Sequence, residues 1–362
     1  MRRISITRSK AGMRLAKPIL NDYGTILINK DIELTELMIQ RLKIIGVDSL
    51  YIQDTRTEDL QIEDVLSDKT RELAMKTIKV TFQDLFKEKL MHHSLAKGNL
   101  SKVFRPVLEN ILEDMKKNKN VVLMLTDIYI RDLYLYSHSL NVAMYSIALG
   151  MAKGYDTEKL LDLGIGALLH DIGKTKIPIE LLEKKGTLTS EEMALLKEHS
   201  RYGYEILRKE EGISMLSAHC ALQHHERLDG QGYPRGINGE QIHDYAKIVA
   251  ITDVYDALIS HRIYKERILP HKALDYLFSK AGKDFDHHWL GIFRESIALY
   301  PIGTTVTLST GESGVVIDIN ANYPDRPIIR VLETNEDGEL HSPYEVDLSK
   351  HLSNMIIYSS PF

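Results

Sequence analysis

Between residues 101 and 300 apolar positions recur at helical spacing almost without interruption, and after Pro301 they switch to alternation. A helix keeps one apolar face with a period of 3.6 residues, whereas a half-buried strand alternates with a period of two. The change of period predicts a helical region followed by a small β-domain, for which a barrel is one form. Helices are expected near residues 101–118, 121–131, 137–153, 157–171, 190–208, 214–226, 244–262, 270–280 and 286–299. Gly154, Gly173, Gly186 and Gly212 are read as helix ends, and Asp229-Gly-Gln-Gly-Tyr-Pro-Arg-Gly236 as a loop. The strands expected beyond Pro301 are Val306–Ser309, Gly314–Ile319 and Pro327–Leu332.

The first 55 residues read differently. Met13–Ala16 and Thr25–Asn29 are β-prone pieces on either side of the turn signal Asn21-Asp-Tyr-Gly24. A helix is expected from Thr35 to Gly46 and a strand over Val47–Ile52, giving a small α/β module. From Glu58 to about Leu95 the chain is charged and helical with an incomplete apolar stripe. That stripe fits a helix packed on its own domain, or a homodimer or signalling-protein contact. His92 and His93 near its end read as surface residues. The expected fold is mainly α. Its divisions are a small α/β N-terminal module (1–57), a helical connector (58–109), an all-helical catalytic candidate (110–303) and a small β-rich C-terminal domain (304–362).

Composition narrows the partners. The net charge of −5 and the pI near 6.3 give no general attraction to DNA or to an anionic membrane. Cys220 is the only cysteine of the 362 residues, so a disulfide framework and a thiolate metal site are both excluded. No apolar h-region follows the basic N-terminus and no run reaches the length of a membrane span. A cytoplasmic location is expected.

The chemistry centres on Leu168-Leu-His-Asp-Ile-Gly-Lys174. Neighbouring side chains on a helix leave about 100° apart, so His170 and Asp171 converge only where the helix is ending, and Gly173 is read as that end. Taken alone, the pair fits a hydrogen-bonded helix terminus as well as a pair of ligands. His138, His199, His224, His225 and Asp253 extend it across at least five expected helices. Nitrogen and oxygen donors without sulfur suit iron, manganese or zinc. The set is too large for one tetrahedral ion, but it suits two ions sharing a bridging carboxylate, for which Asp171 is the candidate.

These residues stand in a recognisable order. His138-Ser139, His170-Asp-Ile-Gly-Lys174, Glu198-His-Ser200, His224-His-Glu-Arg-Leu-Asp-Gly-Gln-Gly-Tyr-Pro234 and Thr252-Asp-Val-Tyr-Asp-Ala-Leu258, followed by Arg262 and Tyr264, resemble the HD-GYP family of metal-dependent phosphodiesterases, a branch of the HD superfamily. The resemblance covers roughly residues 110–303, and its long His-His-Glu to Gly-Tyr-Pro loop is its most specific part. The N-terminal module is weakly similar to a small domain often joined to such enzymes.

The resemblance implies hydrolysis of cyclic di-GMP to pGpG, and on to GMP, by a hydroxide bridging two divalent ions, iron or manganese. It implies that His138, His170, Asp171 and Asp253 hold one ion, and that Asp171, His199, His224 and His225 hold the other. Asp171 and Lys174 would be catalytic, and Lys174, Tyr233, Arg262 and Lys265 would contact the substrate. Some family members add a third metal through a glutamate four residues before the first histidine. Here that position is Tyr134, so a dinuclear site releasing mainly pGpG is expected. Two other readings stay open: a phosphodiesterase of another cyclic dinucleotide or nucleotide, and a catalytically silent nucleotide-binding signalling protein. An oxygenase built on a dinuclear iron site is more distant.

Overall fold

A computed structural model describes residues 1–20, 26–60, 62, 64–91, 100–117, 134–184, 186–260, 268–320, 322–334 and 338–360. The chain opens on strand β1 (Arg2–Ser5), which the apolar pattern does not predict. All its residues are buried, and its arginines reach partners: Arg2 Nε donates to Asp54 at 2.7 Å and Arg3 Nε to Ser49 at 2.9 Å. A strand with no solvent face shows no alternation to read. Met13–Ala16, expected as a strand, makes only isolated bridges, Arg14 with Glu33 and Leu15 with Ile52. Strands β2 (Ile19–Leu20) and β3 (Ile26–Ile28) pair antiparallel. Helix α1 (Glu36–Ile44) starts where the Thr35 hydroxyl accepts from the Met38 N–H, and β4 (Ser49–Ile52) then pairs antiparallel with β1.

Helices α2 (Asp68–Met91) and α3 (Leu100–Lys117) follow. Helix α3 buries Phe104, Leu108, Ile111 and Met115 along one face, each worth about 1.5–3 kcal/mol of apolar burial. The expected helix at 121–131 lies outside the described residues, as do His92 and His93. Helices α4 (Tyr134–Ala152) and α5 (Thr157–Leu168) pack against each other, and a short 3₁₀ turn, Ile172–Lys176, comes after α5. Then come α6 (Ile179–Leu182), α7 (Ser190–Lys197), α8 (His199–Leu207), α9 (Met215–Gln223), α10 (Asp244–Ile259), α11 (Pro270–Ser279) and α12 (His287–Ser296).

The helix expected over 190–208 is therefore two. α7 carries a Thr189–Glu192 capping box and buries no residue, while α8 buries His199, Ser200, Gly203 and Leu207. The break at Glu198 turns the chain inward and sets His199 at the head of α8. Among the described residues, no helix is long and apolar enough to cross a membrane.

Strands β5 (Thr305–Leu308), β6 (Ser313–Asp318), β7 (Ile328–Thr334), β8 (Gly338–Asp347) and β9 (Ile356–Ser359) make an antiparallel sheet in the order β8-β7-β6-β5-β9. Among the described residues β8 and β9 are its edges, so it is an open sheet rather than a barrel. Its inward residues Val306, Val316, Ile329 and Ile356 belong to one continuous core with the helices. The N-terminal residues keep a core of their own around Ile4, Leu15, Leu42 and Leu50. They meet the sheet through the Arg3 N–H to Gly303 carbonyl bond at 2.7 Å and the Arg330–Asp59 ion pair at 2.7 Å.

Candidate metal centre

Five helix-borne stretches converge on one buried point. His138 comes from the first half of α4, and His170 and Asp171 from the turn between α5 and the 3₁₀ segment. His199 opens α8, His224 and His225 close α9, and Asp253 faces inward from α10. All are buried except His225, which is half-buried.

Asp171 lies between two groups of histidines. Its Oδ2 is 3.4 Å from His170 Nε2, and its Oδ1 is 3.4 Å from His199 Nε2 and 3.9 Å from His224 Nε2. Asp253 Oδ1 stands 3.2 Å from His138 Nε2 and 3.9 Å from His170 Nε2. His138, His170 and Asp171 bring ligand atoms within 4.8 Å of one another, and so do His199, His224 and His225. Either group could hold a metal ion.

Three of the histidines are oriented by main-chain carbonyls. Nδ1 of His170 donates to the Ala167 carbonyl at 2.7 Å, that of His199 to the Leu196 carbonyl at 2.7 Å, and that of His224 to the Cys220 and Ala221 carbonyls at 3.0 Å. Each bond leaves the Nε2 lone pair directed at the cluster. His170 Nε2 and Asp171 Oδ1 are buried with no hydrogen-bond partner. Leaving such atoms orphaned costs about 1–3 kcal/mol each, and a cation bound there would remove the cost. The donor set and its orphaned atoms fit a metal.

Burial and charge act unevenly across the cluster. Burial opposes ionising Asp171 and Asp253, but Lys174 and His170 around the first, and His138 beside the second, hold both carboxyls well below the usual range. Burial, reinforced by His170 and His199, lowers His224 to about 3. At His138 burial is outweighed by Asp253 and Asp256, and the ring is raised to about 9.

These shifts predict how chelated protein responds to pH. An unfolded histidine titrates near 6.5. Between 6.5 and about 3 the unfolded chain protonates at the position of His224 while the folded chain does not, so stability is lost as pH falls through that window. His138 acts oppositely, its contribution being present below 6.5 and lost as pH rises through about 9. The urea midpoint of chelator-treated protein should therefore peak near pH 6.5 and decline on both sides. A midpoint rising steadily from pH 5 to 9 would contradict this.

Lys174, in the 3₁₀ turn, is hydrogen-bonded and ion-paired to Asp171 Oδ2, and about a quarter of its side chain is exposed. Gly173 does not end α5, which stops at Leu168. It lies inside the 3₁₀ turn with the α8 backbone against it, where a Cβ would stand 1.9 Å from the His199 carbonyl oxygen. Tyr233 stacks on His225 with centroids 4.6 Å apart and planes at 27°, and the Lys197 ammonium lies over the Tyr233 ring at 5.0 Å from its centre. Its loop is tied by the buried Glu226 carboxylate, which accepts from the Arg235 and Ile237 N–H groups. At Gly232 a Cβ would lie 2.4 Å from Arg227 N. Arg262 and Lys265 lie outside the described residues.

Two residues not read as ligands or substrate contacts also reach the centre, Asp256 from within the Thr252–Leu258 motif and Asn141 from outside the motifs. Asp256 Oδ2 accepts from His138 Nδ1 at 2.7 Å, and its Oδ1 accepts from Asn141 Nδ2 at 2.9 Å. Asp256 follows Asp253, and Asn141 follows His138, by one helical turn. That i,i+3 spacing on the ligand-bearing faces was their available signal.

A family model described as HD domain matches residues 102–288, more than half of the chain. The chain belongs to the HD domain family. Beyond this HD domain, a model described as a KOW domain associated with HD domain matches residues 305–360, the five-stranded sheet. A cyclic di-GMP phosphodiesterase of Pseudomonas aeruginosa is 33% identical over 225 residues, 62% of this chain and 54% of that protein. A cyclic di-GMP phosphodiesterase response regulator of Xanthomonas campestris is 46% identical over 134 residues, 37% of this chain and 35% of that protein. The chain thus spans about half the length, or less, of these curated relatives. An HDG"Y"P protein of Bdellovibrio bacteriovorus shares the fold at 17% identity with a TM-score of 0.51, covering 80% of this chain and 97% of that one.

Proposed function

We propose that the protein is a metal-dependent phosphodiesterase that hydrolyses cyclic di-GMP. The observation that carries the proposal is the position of Asp171, whose two carboxylate oxygens face separate histidine groups. A carboxylate so placed can be shared by two cations. In this reading His138, His170 and Asp253 complete one position, and His199, His224 and His225 the other. The nitrogen and oxygen donors favour iron or manganese. When bound, two divalent cations supply Lewis-acid activation of water at neutral pH and offset charge on the phosphoryl oxygens.

The chain's own residues do the rest. Asp171 and Asp253 stay ionised, and the His170, His199 and His224 rings present their Nε2 lone pairs. Lys174, partly exposed beside Asp171, places a positive charge where a phosphate oxygen can take its proton donors. Tyr233 offers a hydroxyl from a ring fixed by stacking, and Arg262 and Lys265 are proposed as further phosphate contacts. With Tyr134 in place of the glutamate of three-metal members, the site is proposed to be dinuclear and to release mainly pGpG.

The relatives named as cyclic di-GMP phosphodiesterases support this substrate. A second substrate has a specific observation behind it: a relative named as a 3′3′-cGAMP-specific phosphodiesterase, from Vibrio cholerae, is 34% identical over 151 residues, 41% of this chain and 29% of that protein. Incubating manganese-loaded protein with each cyclic dinucleotide and separating the products by chromatography tests both. Turnover of neither would sink the proposal, and faster turnover of 3′3′-cGAMP would move the specificity. In the same assay Lys174→Met should lower kcat/KM by about 10- to 100-fold, the value of one hydrogen bond to a charged group. An unchanged rate would remove Lys174 from the substrate contacts.

A further inference from the structure

His170, His199 and His224 sit at helix ends, where each Nδ1 bonds a main-chain carbonyl within four residues of itself. His138 lies inside α4, where the carbonyls of the helix are engaged by the helix's own N–H groups. Its Nδ1 instead crosses to α10 and donates to Asp256 Oδ2 at 2.7 Å. Asp256 is 1% exposed, and Asn141 Nδ2 holds its second oxygen at 2.9 Å. Two α4 side chains one turn apart thus grip a single buried carboxylate from α10. That carboxylate in turn fixes the His138 ring, with Nε2 directed toward Asp253 at 3.2 Å.

We propose that Asp256 and Asn141 are positioning residues that set the affinity for one cation of the pair, the one held by His138, His170, Asp171 and Asp253, and leave the other untouched. The inference rests on the two-cation reading above. It makes the centre unequal. On the other side, His199 and His224 are tied through Nδ1 to their own backbone, and among the described residues neither Nδ1 is held by a carboxylate from another helix. The His138 side depends on a side-chain hydrogen bond between two helices. A carboxylate behind a ligand histidine fixes the tautomer and strengthens the ring as a donor, and its loss typically costs about 10- to 100-fold in metal affinity.

The test is a titration of the full chain with Mn²⁺ against a competing chelator, comparing wild type, Asp256→Asn, Asn141→Ala, His138→Ala and the double variant His138→Ala/Asp256→Asn. Asp256→Asn keeps the shape but gives up one of the two acceptor oxygens. One Mn²⁺ affinity should fall by about 10- to 100-fold in Asp256→Asn and by less in Asn141→Ala, with the second affinity unchanged. The double variant should bind no more weakly than His138→Ala alone, because Asp256 acts through that ring. Additive losses, equal weakening of both positions, or no change would each overturn the inference. Should Asp256→Asn fail to fold, Asn141→Ala carries the comparison. A wild type that binds two Mn²⁺ with variants unchanged overturns this inference alone. A wild type that binds none overturns the metal reading and the inference together.

Discussion

Asp171→Ala is expected to reduce cyclic di-GMP hydrolysis by more than about 100-fold and to weaken both cation positions at once. Losing an outer partner of a metal ligand costs about 10- to 100-fold. A carboxylate whose oxygens lie 3.4 Å from His170 Nε2 on one side and 3.4 Å from His199 Nε2 on the other serves both groups directly, and its loss must cost more. The damage to the fold should be modest. Asp171 is a buried charge, but the partner it would strand, Lys174, is partly exposed and can turn to water. Metal content and turnover measured on the same preparation decide the matter. If Asp171→Ala kept two cations or near-normal turnover, the shared-carboxylate arrangement would be wrong.

The largest effect on stability is expected at Gly173. A Cβ there would lie 1.9 Å from the His199 carbonyl oxygen and 2.4 Å from Gly203 N. Both are backbone atoms of α8, which cannot swing aside as a side chain can. Gly173→Ala must push α8 away from the 3₁₀ turn, at a cost of about 3 kcal/mol or more. The same shift carries His199 away from Asp171, so metal affinity should fall with stability. Gly291→Ala, in α12 with nothing within 4 Å of the added Cβ, should instead gain about 0.5–1 kcal/mol from the lower entropy of the unfolded chain. Urea midpoints of the two variants test the contrast, and equal midpoints would show that the α8 contact yields more easily than its geometry indicates.

Helical periodicity made much of the helical scaffold legible, most clearly in α3 and α11, which bury one face and expose the other. The candidate ligand residues were legible for a different reason. Buried histidines and aspartates carry few explanations, and their order along the chain matched a known arrangement. What escaped the sequence was set by contacts distant along the chain. No glycine or proline marks the break at Glu198, so the exposed α7 and the partly buried α8 read as one helix. Gly173 resembled a helix terminator because its real constraint, the backbone of residues 199–203, is invisible locally. β1 was missed because its arginines are buried by partners at Asp54 and Ser49, which hydropathy scores as solvent. Asp256 and Asn141 were readable in principle, one turn from the candidate ligands Asp253 and His138, but the hydrogen bonds they make required knowing that α4 and α10 touch.

Helix α2 lies outside residues 102–288, yet it packs on α3, α4 and the 3₁₀ turn that carries Lys174, and Ala74, Ile78 and Phe82 sit fully inside the common core. The stretch that the family model matches is therefore smaller than the stretch that shares one core. Cooperative unfolding is therefore expected to reach beyond residues 102–288, and α2, outside that stretch, underlies the elements that carry the candidate ligands.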